Sequence, residues 1–240
     1  MTVPGDPVAL AKDYPFAIPA GSYVFTGDGV RAADAVDEGH LAGRVALLAV
    51  GANGAPAALA RKLGDAAAGA AIPVLAATLH GFDVVYSAHL SPYGAIPGTL
   101  LPAPGAVAHL HMIHPDPREL AILHRTEPNY VFGELSGIDL RPAGAEPIAA
   151  VRAYISRHGC LAVDGRPVGV AGIRVEGRVE PALSEPAVLE VARERLAPDA
   201  DLDAFIAENG RDPELARRRT AELRTTAIPF SWPGWRALEP

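Results

Sequence analysis

Three groups of residues in this chain have types and spacings suited to chemistry. The first is Glu127. It ends a short helix whose start is well marked: Asp116 suits the N-cap, Pro117 the first helical position, and Glu119 lies three residues after the cap. Pro128 pushes Glu127 out of the helical region, so the helix stops there. Rigid elements then hold the carboxylate from both sides. The plain alternative is a solvated helix-end glutamate, the commoner case by position alone; a helix C-terminus disfavours an anion, and that small cost adds a little weight to a functional reason. The second group is Gly51-Ala-Asn-Gly54-Ala-Pro56. It follows the apolar run Val45–Val50 and precedes a helix over Ala57–Leu63. A strand, a glycine loop and a helix start leave backbone N–H groups free for an anion. The plain alternative is a tight turn that needs two glycines. The nucleotide signatures G-x-G-x-x-G and Gly-Lys-Ser/Thr are missing. The third group is His109, His111 and His114. On a strand, His109 and His111 point to one face and present two imidazoles together.

Positioning these groups takes both strands and helices. Thr99 to Ile113 reads as β-rich, broken by a turn at Pro104-Gly105. The helix over 117–126 directs Leu120 and Leu123 inward. Upstream, Val74–Leu79 and Asp83–Ala88 are extended segments joined by His80-Gly81-Phe82, and Ser91-Pro92-Tyr93-Gly94 forms a loop. Downstream strands are expected at Tyr130–Leu135 and Ile148–Ser156. Leu161–Val163 and Pro167–Ile173 flank Asp164-Gly165, a hairpin turn signal. Strands this short and this numerous predict a closed or nearly closed barrel. From Glu185 onward, Glu185–Leu196, Leu202–Glu208 and Pro213–Leu223 read as helices. The irregular tail Ile228–Trp235 carries aromatics suited to clipping onto the body. Before Val45, four prolines discourage regular structure; a short strand at Tyr23–Thr26 and a helical piece at Val30–Val36 are expected there.

Composition narrows the function. The 240 residues are 49% hydrophobic and 20% charged, which suits a globular protein with a real core. A net charge of −7 argues against nucleic acid as partner. The single cysteine, Cys160, excludes an internal disulfide and a cysteine-based metal cage. No basic region followed by an apolar run opens the chain. The least charged stretch, Ala66–Phe82, is too interrupted to span a bilayer. The expectation is a cytoplasmic protein without a membrane partner; its oligomeric state stays open.

The order of these elements resembles the gamma-glutamylcyclotransferase-like family. In that family the first strand ends in a Tyr-Gly-Ser-Asn loop that holds the glutamyl part of the substrate. A glutamate after a later helix is the general acid/base, and a tyrosine follows it. Here Val50-Gly51-Ala52-Asn53 occupies the loop, Thr99-Leu100 and Ala103-Pro104-Gly105 lead into the central strand, and Leu120, Leu123, Glu127 and Tyr130 match the helix and its carboxylate. The matching stretch is about Val45 to Leu135. Val50 and Ala52 replace the family's loop tyrosine and serine, and Ala108-His109-Leu-His111 stands where the central strand usually carries a glycine. The resemblance implies an α+β fold: a small mixed β-barrel of the gamma-glutamylcyclotransferase-like type over residues 45–180. An N-terminal extension (1–44) precedes it, helices flank it, and a helical C-terminal appendage (181–240) follows.

The activity so implied is cyclisation of a small γ-glutamyl or related amide compound. Its free α-amine attacks the γ-carbonyl, 5-oxoproline forms and an amine leaves. Glu127 would move the protons, which requires a partly dry pocket. Gly51, Ala52, Asn53 and Gly54 would hold the ligand's anionic end, with Tyr130 and Tyr93 lining the sides and the ligand bridging Asn53 and Glu127. No metal or cofactor is needed. Two other readings stay open. One is a non-catalytic small-molecule-binding module, since both loop hydroxyls are gone. The other is a metal site at His109 and His111, resembling the His-x-His pair of cupin barrels; the glutamate that follows such pairs is replaced here by the Pro115-Asp116 cap.

Overall fold

A computed structural model describes residues 6–27, 29–33 and 38–239. In chain order the main elements are α1 (Pro7–Lys12), β1 (Tyr23–Phe25), β2 (Val30–Ala32), α2 (Glu38–Leu41), β3 (Leu47–Ala49), α3 (Pro56–Leu63), β4 (Ile72–Tyr86), β5 (Gly98–Ile113), α4 (Pro117–Thr126), β6 (Tyr130–Pro142), β7 (Ile148–Ser156), α5 (Glu185–Leu196), α6 (Leu202–Arg211) and α7 (Pro213–Leu223). A single 3₁₀ turn, Gly51–Gly54, joins β3 to α3. Five strands close a barrel in the order β4-β5-β3-β7-β6, with β6 pairing back to β4. The β3–β7 contact is parallel and the other four are antiparallel. The fold is therefore a mixed α+β barrel with flanking helices and three C-terminal helices.

Strand alternation sorts the apolar residues. Leu48, Met112, Ala153 and Ile155 fall in one cluster, together with Leu189, Phe205 and Leu223 of the C-terminal helices. Their neighbours Leu47, Ala49, Ile113 and Tyr154 fall in the other, with Leu59 and Leu63 of α3 and Leu123 of α4. A five-stranded barrel has room inside for side chains only, so α3 and α4 pack on its outer face. Burying a leucine such as Leu123 completely stabilises by roughly 1.5 to 3 kcal/mol.

Helix α4 begins as its sequence dictates. The Asp116 carboxylate accepts the N–H groups of Arg118 and Glu119, and the Glu119 side chain accepts the Asp116 N–H in return. Four expectations need correction. Val30–Ala32 is an exposed strand rather than the start of a helix, because it pairs with β1; residues 34–36 lie outside the described residues. His80-Gly81-Phe82 does not divide two segments, and Pro104-Gly105 does not end a strand. Both lie within long strands at one irregularity, where Phe82 faces Pro102 and His80 faces Val107. Gly81 and Gly105 both take positive φ there, so the strands bend around a bulge instead of stopping. β6 also runs on to Pro142, past the expected end at Leu135.

The C-terminal helices are tied to the barrel. Glu185 at the start of α5 accepts the Ile96 N–H at 2.7 Å, and Thr220 of α7 accepts the Leu90 N–H at 3.1 Å. The tail aromatics do clip onto the body. The Trp232 indole donates to the Ser136 carbonyl at 2.7 Å, its ring lies 4.8 Å from that of Phe82, and Trp235–Ala237 pairs with β6.

Candidate functional site

Glu127 closes α4, and its N–H still reaches the His124 carbonyl at 3.2 Å. The His124 ring is tied to the Tyr154 hydroxyl of β7 at 2.7 Å, which fixes the helix end against the barrel. The Glu127 side chain turns inward and is 8% exposed, unlike a solvated helix-end glutamate. It meets the turn after β3: the Asn53 amide donates to Glu127 Oε1 at 3.0 Å. Lys62 completes a triad. Its ammonium contacts the same Oε1 and donates to Asn53 Oδ1 at 2.6 Å.

The triad lies in the wall of a cavity of about 350 Å³. Of the residues expected at a site, Ala52, Asn53, Tyr93, Glu127 and Tyr130 line this cavity. Gly51 and Gly54 do not. They line a separate recess of about 390 Å³ with His109 and His111. Ala49, Val50, Gly51 and Ala52 alternate between the two cavities; the 3₁₀ turn then ends the alternation, and Asn53 stays on the side of Ala52. Asn53 and Glu127 bond directly, so no open gap lies between these two side chains, contrary to the expectation of a ligand bridging them.

Sequence reasoning missed Tyr14, Arg61, Lys62, His89 and Arg125, which also line the cavity. Lys62 left a trace: Ala58, Leu59 and Leu63 of α3 are buried, and a lysine interrupts that stripe. The Tyr14 hydroxyl accepts the Gly98 N–H at 2.6 Å, and the Tyr130 hydroxyl donates to the Gly98 carbonyl at 3.0 Å. Burial raises both phenols well above their usual range, so both stay protonated. Burial also pushes the Tyr93 phenol up to about 12. The Arg61 guanidinium lies 4.7 Å from the Phe16 ring centre and 5.2 Å from that of Tyr93. Burial, aided by His158, pushes the His89 imidazole down to about 3, so it is neutral at physiological pH.

The histidines singled out for a metal are engaged separately. His109 Nε2 lies 2.9 Å from Glu176 Oε1, while His111 packs against the Tyr23 ring and reaches the Gly21 carbonyl at 3.4 Å. Among the described residues, no group of three or more His, Cys, Asp or Glu side chains is placed to hold a metal ion. Among the described residues, no helix is long and apolar enough to cross a membrane.

Comparison with known proteins adds little. No family model matches the chain, and no curated protein matches it. A solution structure of a protein from Arabidopsis thaliana is similar over 53% of this chain and 74% of its own, at 18% identity and a TM-score of 0.34. That likeness is weak, and the description of the barrel rests on its strand pairing alone.

Proposed function

We propose that the cavity beside Glu127 takes a small γ-glutamyl or related amide compound and cyclises it, as in the gamma-glutamylcyclotransferase-like family. The observation that carries this reading is the meeting of Glu127 with Asn53 in the wall of one cavity that Tyr93 and Tyr130 also line. Arg61, Lys62 and Arg125 outnumber Glu127 around it, a balance suited to a ligand with a carboxylate. The ligand's neutral α-amine would approach Glu127 Oε1, where the Lys62 ammonium now sits. The amine nitrogen attacks the γ-carbonyl carbon, the ring C–N bond forms, and Glu127 accepts the amine's proton. The same carboxyl then delivers that proton to the departing nitrogen as the original amide C–N bond breaks. No proton is lost or gained overall.

A second reading is favoured by Lys62. A carboxylate already paired with an ammonium and an amide is the arrangement of a structural or binding site, and the family's loop hydroxyls are absent at Val50 and Ala52. In this reading the cavity binds a small polar molecule without transforming it.

Amine and 5-oxoproline release from a panel of γ-glutamyl compounds separates the two. Catalysis predicts turnover of at least one member by the wild type, lower by ~10²-fold or more in Glu127→Gln. Unchanged turnover in Glu127→Gln sinks the acid/base role. A wild type that binds a member of the panel and turns over none establishes the binding module.

A further inference from the structure

His89 lies at the end of an unusual buried run of polar groups. It follows β4 in a loop held from two sides, by the bond from Ala88 N–H to the Gly159 carbonyl and by that from Leu90 N–H to Thr220. Its side chain is enclosed, yet its ring forms part of the cavity wall that Glu127 and Tyr130 share. The Tyr130 and His158 rings lie 5.5 Å and 4.8 Å away. His89 Nδ1 is 2.7 Å from Ser87 Oγ, and Ser87 Oγ is 2.6 Å from Ser156 Oγ. Ser156 Oγ accepts the backbone N–H of His158 at 3.0 Å. Both serines are buried.

This run has a direction. It starts at a peptide N–H, which only donates. Ser156 Oγ accepts that hydrogen and must place its own. Ser87 Oγ is the acceptor in reach, so Ser87 in turn donates to Nδ1 of His89. With the opposite polarity Ser156 would accept twice and leave its own buried hydrogen without a partner. Nδ1 is thus an acceptor, and the ring hydrogen of the neutral imidazole is on Nε2. Nε2 itself has no hydrogen-bond partner among the described residues, Nδ1 being the ring nitrogen engaged by Ser87, and His89 lines the cavity.

We propose that His89 is a ligand-contacting residue whose Nε2–H, fixed by Ser87 and Ser156, donates a hydrogen bond to a carbonyl oxygen in the cavity. A neutral imidazole can do this without adding charge, and its donor is oriented before the ligand arrives. The identity of the carbonyl rests on the proposed function: in a γ-glutamyl compound it would be the γ-carbonyl, whose oxygen gains negative charge as the amine attacks. The orientation of the imidazole does not depend on that reading.

Long-range proton–nitrogen NMR of the ¹⁵N-labelled full chain tests both parts. His89 signals are assigned by their loss in His89→Gln. The expected result is a neutral ring with hydrogen on Nε2 throughout the pH range 5 to 8, and a loss of that fixed tautomer in Ser87→Ala. Titration with 5-oxo-L-proline, which carries a lactam carbonyl, is expected to shift the His89 Nε2 resonance together with the Asn53 amide. Hydrogen on Nδ1 in the free protein overturns the inference. So does an unmoved His89 resonance at a probe concentration that shifts Asn53. If the wild type turns over no γ-glutamyl compound but His89 carries its hydrogen on Nε2 and responds to the probe, only the proposed function fails.

Discussion

Two cavities meet at one four-residue turn, and they use their polar groups in opposite ways. On the side of Ala52 and Asn53, the polar groups converge. Asn53, Lys62 and Glu127 share hydrogen bonds in a half-dry wall, and the enclosed His89 borders the same space. On the side of Gly51 and Gly54 they disperse. Arg141 pairs with Asp139, and both Arg174 and His109 pair with Glu176, in pairs open to water. Volume does not separate the two cavities, at about 350 and 390 Å³. What separates them is whether polar side chains were withdrawn from water to face one point. That withdrawal costs free energy, and only a ligand or the fold itself repays it.

The contrast breaks most visibly at Lys62. Replacing it with methionine leaves Glu127 without its cation and is expected to lower stability by roughly 2 to 3 kcal/mol, less than for a fully buried pair because the Lys62 side chain is 17% exposed. A denaturant double-mutant cycle of Lys62→Met with Glu127→Gln should return a coupling of about 1 kcal/mol or more. Additive effects would mean that the pair is no more than a surface contact.

The turn between the cavities comes next. Gly51 has φ of 71°, and a Cβ there would lie 2.2 Å from the Tyr14 hydroxyl. Gly51→Ala should therefore cost about 2 kcal/mol, from the left-handed backbone and the clash together. Adding Tyr14→Phe, which removes the clashing oxygen, should recover part of that loss. No recovery would place the whole cost in the backbone.

Two buried groups give the body opposite pH dependences. In the folded state His89 titrates at about 3, far below its ordinary 6.5. As pH falls from 6.5 toward 3 the unfolded chain takes up a proton that the folded one refuses, so stability declines toward acid. Glu185 is the reverse: burial raises its carboxyl well above 4.5. Below 4.5 the carboxyl is protonated in both states and its contribution is fully present. As pH rises above 4.5 the unfolded chain ionises first, so stability declines toward base. Thermal midpoints should then fall less steeply toward acid in His89→Gln, and should rise in Glu185→Gln at pH 7 to 8 but not at pH 4. A pH-independent effect of either substitution would show that packing, not charge, is what changed.

The smallest effect is expected in the open recess. His109→Ala should leave the thermal midpoint within measurement error, and elemental analysis of wild type and variant alike should find no stoichiometric transition metal. A metal equivalent lost with His109 would reverse the ranking of the two cavities.

Local signals were legible in the sequence. The Asp116 cap, Pro117 and Pro128 set the ends of α4, and the observed bounds of β7, α5 and α7 coincide with those expected. Long-range matters were less so. That β4 and β5 continue through Gly81 and Gly105 depends on two strands bending together, which neither glycine reveals alone. The direct bond between Asn53 and Glu127 was not legible: Glu127 ends α4, but Asn53 lies inside the turn after β3, and the sequence suggested only that a ligand would bridge the two. Lys62 was overlooked because a lysine in a helix is normally read as solvated, and its partners lie nine and sixty-five residues away. Tyr14 enters from a proline-rich segment whose pattern carries no sign of the cavity.

One bond in the frame has a kinetic meaning. The Leu90 amide, next to His89, is covered by the Thr220 hydroxyl of α7. It can trade its hydrogen for deuterium only when that helix lifts away. A single backbone position thus times the undocking of the C-terminal helices, and deuterium uptake at Leu90 slower than at the cavity rim would mean that these helices remain clamped while the rim breathes.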